Sequence, residues 1–283
     1  MTGLVAVVAI CLFALVFAVL YAKGLNFPCD PDETDVEHKL EPPGKSHLLG
    51  TDHLGRDVFS RMAKGAGVSL TVGLVAVSVS IILGVIVGSL AGFFGGVTDS
   101  ILMRFTDAMM CFPTFILILT VLALVERHAF LMVMLVIGLT SWMGTARFVR
   151  AEFLSLRERD FVQAARASGA RNSRIIFAHI LPNALTPVLV TATIRIASAI
   201  LIESGLSFLG FGVRPPTPSW GNIIADGKTY IFDAPWLTLF PGLAILITVL
   251  AFNLVGEGLR DALDPRLKYK MNRAARKNSG GAK

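Results

Sequence analysis

The sequence predicts an all-α integral membrane protein with six transmembrane helices and both termini in the cytoplasm. Three observations carry this. Long uncharged apolar runs recur along the chain, charge is scarce overall, and Lys and Arg collect in alternate connecting segments. Of 283 residues, 54% are hydrophobic and 16% are charged, whereas soluble domains carry about 25% charged residues. A chain this poor in charge presents its apolar residues to lipid. In lipid every backbone polar group must be satisfied internally, so the spanning elements are helices.

A membrane-crossing helix needs roughly 20 mostly apolar residues. Runs of about that size lie at 3–22, 65–98 (core 69–93), 108–125, 129–146, 186–202 and 234–256, the fifth interrupted by Arg195. The first reads as a retained helix rather than a cleaved signal. No Lys or Arg precedes it, and its apolar run is longer than a signal core.

Orientation follows from Lys and Arg, which favour the cytoplasmic side. With the N-terminus inside, the inner segments hold Arg104, then Arg147, Arg150, Arg157, Arg159, Arg166, Arg171 and Arg174, then a basic tail over 269–283. The outer segments hold fewer basic residues and an acidic run from Asp30 to Glu41. The net charge of +6 therefore reflects topology and contact with anionic lipid, and nucleic acid is not an expected partner. Cys11, Cys29 and Cys111 are scattered and form no C-x-x-C pair, which predicts free thiols and no metal site. The five histidines, with His47, Asp52 and His53 close together, lack a metal-ligand spacing and read as loop residues.

The outer loop 24–64 opens with proline-rich turn chemistry. It then changes character near Asp52, which is placed to cap a short interfacial helix carrying Leu54, Val58, Phe59 and Met62 on one side. Before the sixth span, three prolines at 215, 216 and 218 forbid a regular helix. Trp220 and Trp236 suit an interfacial belt.

The segment 152–185, between the fourth and fifth spans, is polar and reads as two short helices with a glycine corner. Asp160 followed by Gln163 has the form of a capping box. Gly169 sits where a left-handed residue would end the first helix. Asn172 or Ser173 can cap the second, which is expected to stop at Pro182. Small residues at Ala164 and Ala165 leave room for a partner to approach. Within the fifth span, Arg195 and Glu203 lie about two turns apart on roughly one face. Charges at such depth usually face a bundle interior or a water-filled path, which makes both candidates for the translocation path.

Gln163-Ala164-Ala165, then Gly169, then Ile180-Leu181-Pro182 resembles the Glu-Ala-Ala loop of membrane subunits from binding-protein-dependent ABC importers, with Gln163 replacing the family's Glu. The segments 47–57, 92–107, 206–221 and 253–266 resemble the "C"-type subunit of the dipeptide, oligopeptide and nickel permease group, so the likeness covers nearly all of 28–268. The resemblance implies one transmembrane domain over 1–283, with a permease core at 69–268 and the 152–185 loop as the element that couples to ATPase subunits. It implies half of a translocation path completed by a second, related permease. Two ATPase subunits would hold ATP and Mg, and an extracytoplasmic binding protein would deliver the solute. The chain has no G-x-x-x-x-G-K-[ST] phosphate cradle, so no ATPase activity and no cofactor of its own are expected. Peptides are the favoured solute, with nickel or a metal chelate the alternative. An ion-coupled secondary transporter would want ionisable relays in several helices, and an intramembrane enzyme would show a catalytic motif. Neither pattern is present.

Overall fold

The computed structural model describes residues 30–125 and 130–263. The predicted first span at 3–22, the basic tail at 269–283, Cys11 and Cys29 lie outside the described residues.

The loop over 30–57 is held by side chains. Thr51 pairs with Asp57 in an isolated antiparallel bridge, and its hydroxyl donates to the His38 carbonyl at 2.5 Å. Asp52 caps no helix. Its carboxylate accepts from the N–H groups of Leu54 and Arg56 and from Arg56 Nε at 2.7 Å. The cap lies further on, where Asp57 accepts from the Ser60 N–H at 2.8 Å. From there helix α1, Val58–Phe94, runs for 37 residues without a break, so the expected interfacial helix is instead the first turns of this span. Thirty-seven residues at 1.5 Å each reach about 55 Å, well beyond the ~30 Å hydrocarbon core of a bilayer.

Gly95 and Gly96 take left-handed backbone, with φ of 66° and 54°, and turn the chain into α2, Gly96–Met110. Helix α3, Thr114–Leu124, follows at a bend of 82°. Pro113 sits at the bend, where it lacks an N–H and disfavours helical backbone at Phe112. The span predicted at 108–125 is therefore split. The span predicted at 129–146 is split as well, into α4, Phe130–Thr140, and α5, Met143–Arg157, bent by 44° at Ser141 and Trp142. Next come α6, Asp160–Ala167, and α7, Asn172–Phe208. The remaining helices are α8, Trp220–Gly227, and α9, Trp236–Leu263. Among the described residues three helices, α1, α7 and α9, are long and apolar enough to cross a membrane, or up to five spans if each bent pair counts as one. The described residues contain no strand.

Helix α1 is the spine. Gly84, Gly88 and Gly92 recur every four residues and face α5. A Cβ at Gly84 would stand 2.6 Å from Thr145 Cγ2, one at Gly88 2.8 Å from Val149 Cβ, and one at Gly92 2.6 Å from Phe153 Cβ. Lipid tails are as apolar as the side chains, so close van der Waals approach through small residues is what holds helices together in a membrane. One buried cluster joins α1, α3, α4 and α7 through Val72, Ala76, Ile118, Leu122, Ile137 and Ile200. A second joins the far ends of α1 and α5 to α6 and α7 through Phe93, Val149, Phe153, Val162, Ile175 and Ile180.

Trp220 is not interfacial. It is fully buried, with its indole N–H donating to the Met62 carbonyl at 3.2 Å. Trp236 is partly buried and donates to the Thr51 carbonyl at 3.2 Å, locking the 30–57 loop to the start of α9.

Candidate functional site

Two features stand out, at different heights of the same helix. The first is the 152–185 segment. Helix α6 ends in a Schellman closure: the Gly169 N–H donates to the Arg166 carbonyl and the Ala170 N–H to the Ala165 carbonyl. Gly169 has φ of 76°, as its place in the sequence predicts. The capping box is absent. Asp160 is the first helical residue, Arg159 precedes it, and no side chain caps the end. Gln163 instead sends its amide Nε2 to the Arg157 carbonyl at 3.0 Å, bonding α6 to the last turn of α5. A glutamate carboxylate has no N–H to make that bond.

The second arm does not stop at Pro182, and neither Asn172 nor Ser173 caps it. Ile175–Ile180 is π-helical, with the Leu181 N–H reaching back to the Ile176 carbonyl. The wider turn lets the chain pass a proline whose ring would clash with the preceding turn of a regular helix. Asn183 Nδ2 takes the His179 carbonyl at 2.7 Å. The hairpin arm and the predicted fifth span are therefore one helix, α7. Val162, Ile175 and Ile180 are fully buried and fix the hairpin to the bundle. Asp160, Phe161, Gln163, Ala164, Gly169 and Phe177 are exposed, Ala165 and Leu181 are half-buried, and Pro182 is exposed. Nearby, Arg150 holds Asp99 through two hydrogen bonds, Nη2 to Oδ2 at 2.6 Å, and Arg147 pairs with Asp107. Two of the arginines that set the predicted orientation thus also tie α5 to α2.

The second feature is a cavity of about 550 Å³ between α1, α4, α5 and α7, with Met110 and Thr114 of the α2–α3 bend also on its wall. Its lining includes Ala76 and Ser80 of α1, Ile137 of α4, Ser141 at the α4–α5 break, Gly144 of α5, and Thr191, Arg195 and Ser198 of α7. Among the described residues Arg195 is the one charged member of that lining. Its Nη1 donates to the Ser141 carbonyl at 3.5 Å, and a Cβ at Gly144 would stand 2.9 Å from its Nη2. No carboxylate lies within ion-pair distance of it among the described residues.

Glu203 is elsewhere. It is not part of the cavity lining and does not reach water: it is fully buried, accepting from Ser207 Oγ at 2.7 Å and Ser219 Oγ at 2.9 Å. The structure therefore separates the two charges expected on one face. Eight residues turn a 3.6-residue helix about 80° past two full turns, enough to send one side chain to the cavity and the other to α8.

At the Val58 end of α1, Arg56 bridges Asp52 and Asp226, and Arg61 reaches Asp52 at 3.5 Å. Burial pushes the Asp226 carboxyl above the usual carboxylate range, while His53, Arg61 and Arg56 pull against that shift.

Residue reading missed Val162 and Ile175, whose apolar spacing around the polar hairpin carries their signal. It also missed Ser80, Ser141 and Gly144, small residues that become significant only when the α4–α5 break faces Arg195.

Residues 84–269 match the family described as binding-protein-dependent transport system inner membrane component. The chain is 42% identical over 236 residues to the dipeptide transport system permease protein DppC of Alkalihalophilus pseudofirmus, covering 83% of this chain and 77% of the relative. It is 39% identical over 268 residues to the oligopeptide transport system permease protein OppC of Bacillus subtilis, covering 95% and 86%. It is 42% identical over 260 residues to the di/tripeptide transport system permease protein DppC of Pseudomonas aeruginosa, covering 90% and 85%. Among solved structures, a chain of the inward-facing MetNI methionine ABC transporter superposes with a TM-score of 0.54 at 20% identity, over 73% of this chain and 97% of that one. That likeness concerns the fold.

Proposed function

The chain belongs to the family of inner-membrane components of binding-protein-dependent transport systems, and from that premise we propose that it forms half of the translocation path of a peptide ABC importer and is driven through its 152–185 hairpin. The observation that carries this is the continuity of α7. One helix joins an exposed hairpin to the wall of the 550 Å³ cavity. A push on the hairpin is delivered as a displacement of the helix bearing Arg195, because Val162, Ile175 and Ile180 leave the hairpin no independent freedom. Such a two-position element, biased by a ligand bound elsewhere, is what coupling between sites requires.

In this reading six spans cross the membrane, with residues 3–22 as the first and both termini in the cytoplasm. The hairpin then faces the cytoplasm, where each of two ATPase subunits, holding ATP and Mg, meets one permease. A second, related permease completes the path, and lipid covers the remaining apolar surface. An extracytoplasmic binding protein delivers the solute. The names of the relatives support peptides as that solute.

The test is purification of the tagged chain with its neighbours in detergent, followed by ATPase measurement with and without dipeptides. The reading requires a second permease, two ATPases and hydrolysis stimulated by peptide-loaded binding protein. Stimulation by nickel or a chelate alone would leave the architecture standing and overturn the solute. Absence of any ATPase would overturn the importer reading itself.

A further inference from the structure

A guanidinium on a cavity wall inside a membrane bundle is expensive unless something balances it. A cation at bilayer depth costs several kcal/mol or more without a counter-charge. Arg195 has only one weak contact, to the Ser141 carbonyl at 3.5 Å, and no acid among the described residues. Two hydroxyls in the same lining are also idle. The oxygens of Ser80 and Ser141 are buried and have no hydrogen-bond partner among the described residues, and Ser80 is only 2% exposed. Buried polar groups are normally satisfied, so a guanidinium with spare donors on a cavity wall has the chemistry of an anion site, beside which the two serine hydroxyls would have to rotate to reach a ligand. Gly144 adds the shape, since any side chain there would press on the guanidinium.

We propose that this cavity binds the carboxylate end of the solute in transit, with Arg195 supplying the charge and Ser80 and Ser141 the accessory donors. The proposal rests on the importer reading above and names the chemistry recognised on this subunit's side. A guanidinium matches a carboxylate in geometry and charge. Among the described residues the same lining has no acid to meet an ammonium group, so the amino end of a peptide is left to the other half of the path. A bare divalent cation would be repelled by this wall.

The test uses the whole importer, with its second permease, ATPases and binding protein, reconstituted in liposomes. Uptake of a dipeptide with a free C-terminus is compared with uptake of the same dipeptide as its C-terminal amide, for the native chain and for Arg195→Gln. The binding protein's own preference is common to both and cancels in the ratio of ratios. That quotient is expected to be about tenfold, the equivalent of about 1.4 kcal/mol, with the acid form suffering the greater loss. Arg195→Lys is expected to keep most of the discrimination. Ser80→Ala with Ser141→Ala, in a chain that still assembles, is expected to give a quotient of about three. A quotient of one for Arg195→Gln and for the serine variant would overturn the proposal while leaving the importer intact. Loss of the second permease on purification of Arg195→Gln would also overturn it, since the counter-ion would then be a partner's acid. If neither peptide form enters with the native chain, the importer reading itself fails.

Discussion

Glu203 Oε1 accepts a hydrogen bond from Ser219 Oγ at 2.9 Å across 16 residues of chain, and both residues are fully buried. Ser219 is also the cap of α8, accepting from the Asn222 N–H at 3.2 Å while Asn222 Oδ1 accepts from the Ser219 N–H at 2.9 Å. The glutamate therefore sets the orientation of a capping hydroxyl and pins the proline-rich connection to α7. Glu203→Ala would strand the hydroxyls of Ser207 and Ser219, at about 1–3 kcal/mol for each buried group left unmade. Glu203→Gln keeps a carbonyl oxygen in the accepting position. Thermal unfolding in detergent should show a clear loss for the alanine variant and a much smaller one for glutamine. Equal losses would mean that charge, not acceptance, is what the site needs.

The glycine row on α1 makes a second prediction. Gly88→Leu would drive a side chain into Val149 and the backbone of α5, and overpacking of this kind costs about 1–3 kcal/mol or more. Gly242, which has open space where a Cβ would go, is the control. Gly242→Ala in the helical α9 should be neutral or stabilising by up to about 1 kcal/mol. A thermal scan in which both substitutions behave alike would show that α1 and α5 do not meet through these glycines.

Much of this architecture was legible in the sequence, and the failures have physical causes. The apolar runs located the long helices because helix length and bilayer thickness are fixed quantities. They did not reveal the bends at Cys111–Pro113 and Ser141–Trp142, since those residues carry no charge and a hydropathy count passes straight through them. Pro182 was read as a stop because proline usually is one; the π-helical turn of Ile175–Ile180 that admits it has no local signature. Gly169 was correctly placed, because only the left-handed region suits a Schellman closure at that position. Asp160 and Gln163 had capping-box spacing, but the chain entering from α5 drew Gln163 to the Arg157 carbonyl. Glu203 was named for the translocation path with Arg195 and instead lies buried outside the cavity lining, since its serine partners come from α7 itself and from the loop before α8.

Gly169 gives a third prediction. A Cβ there meets nothing within 4 Å, yet φ is 76°. The penalty for substitution is then one of backbone strain, about 1–2 kcal/mol for an ordinary residue. Gly169→Asn should be tolerated in ATPase coupling, and Gly169→Val should weaken it without loss of assembled protein. If valine is as good as asparagine, the closure of α6 does not matter to coupling.

In the proposed importer the exposed face of α6 is the surface on which an ATPase subunit pushes. The most direct measurement is site-specific cross-linking in the assembled importer. Cysteine is placed at Ala164 in a chain whose own Cys11, Cys29 and Cys111 are replaced by serine, with single cysteines scanned across the ATPase surface. Efficient cross-links are expected from Ala164→Cys to one ATPase groove, changing in yield when ATP is added, and none from the buried Val162→Cys. Cross-links from Ala164→Cys to the second permease or to nothing, in a complex that still hydrolyses ATP on solute arrival, would contradict that role for α6.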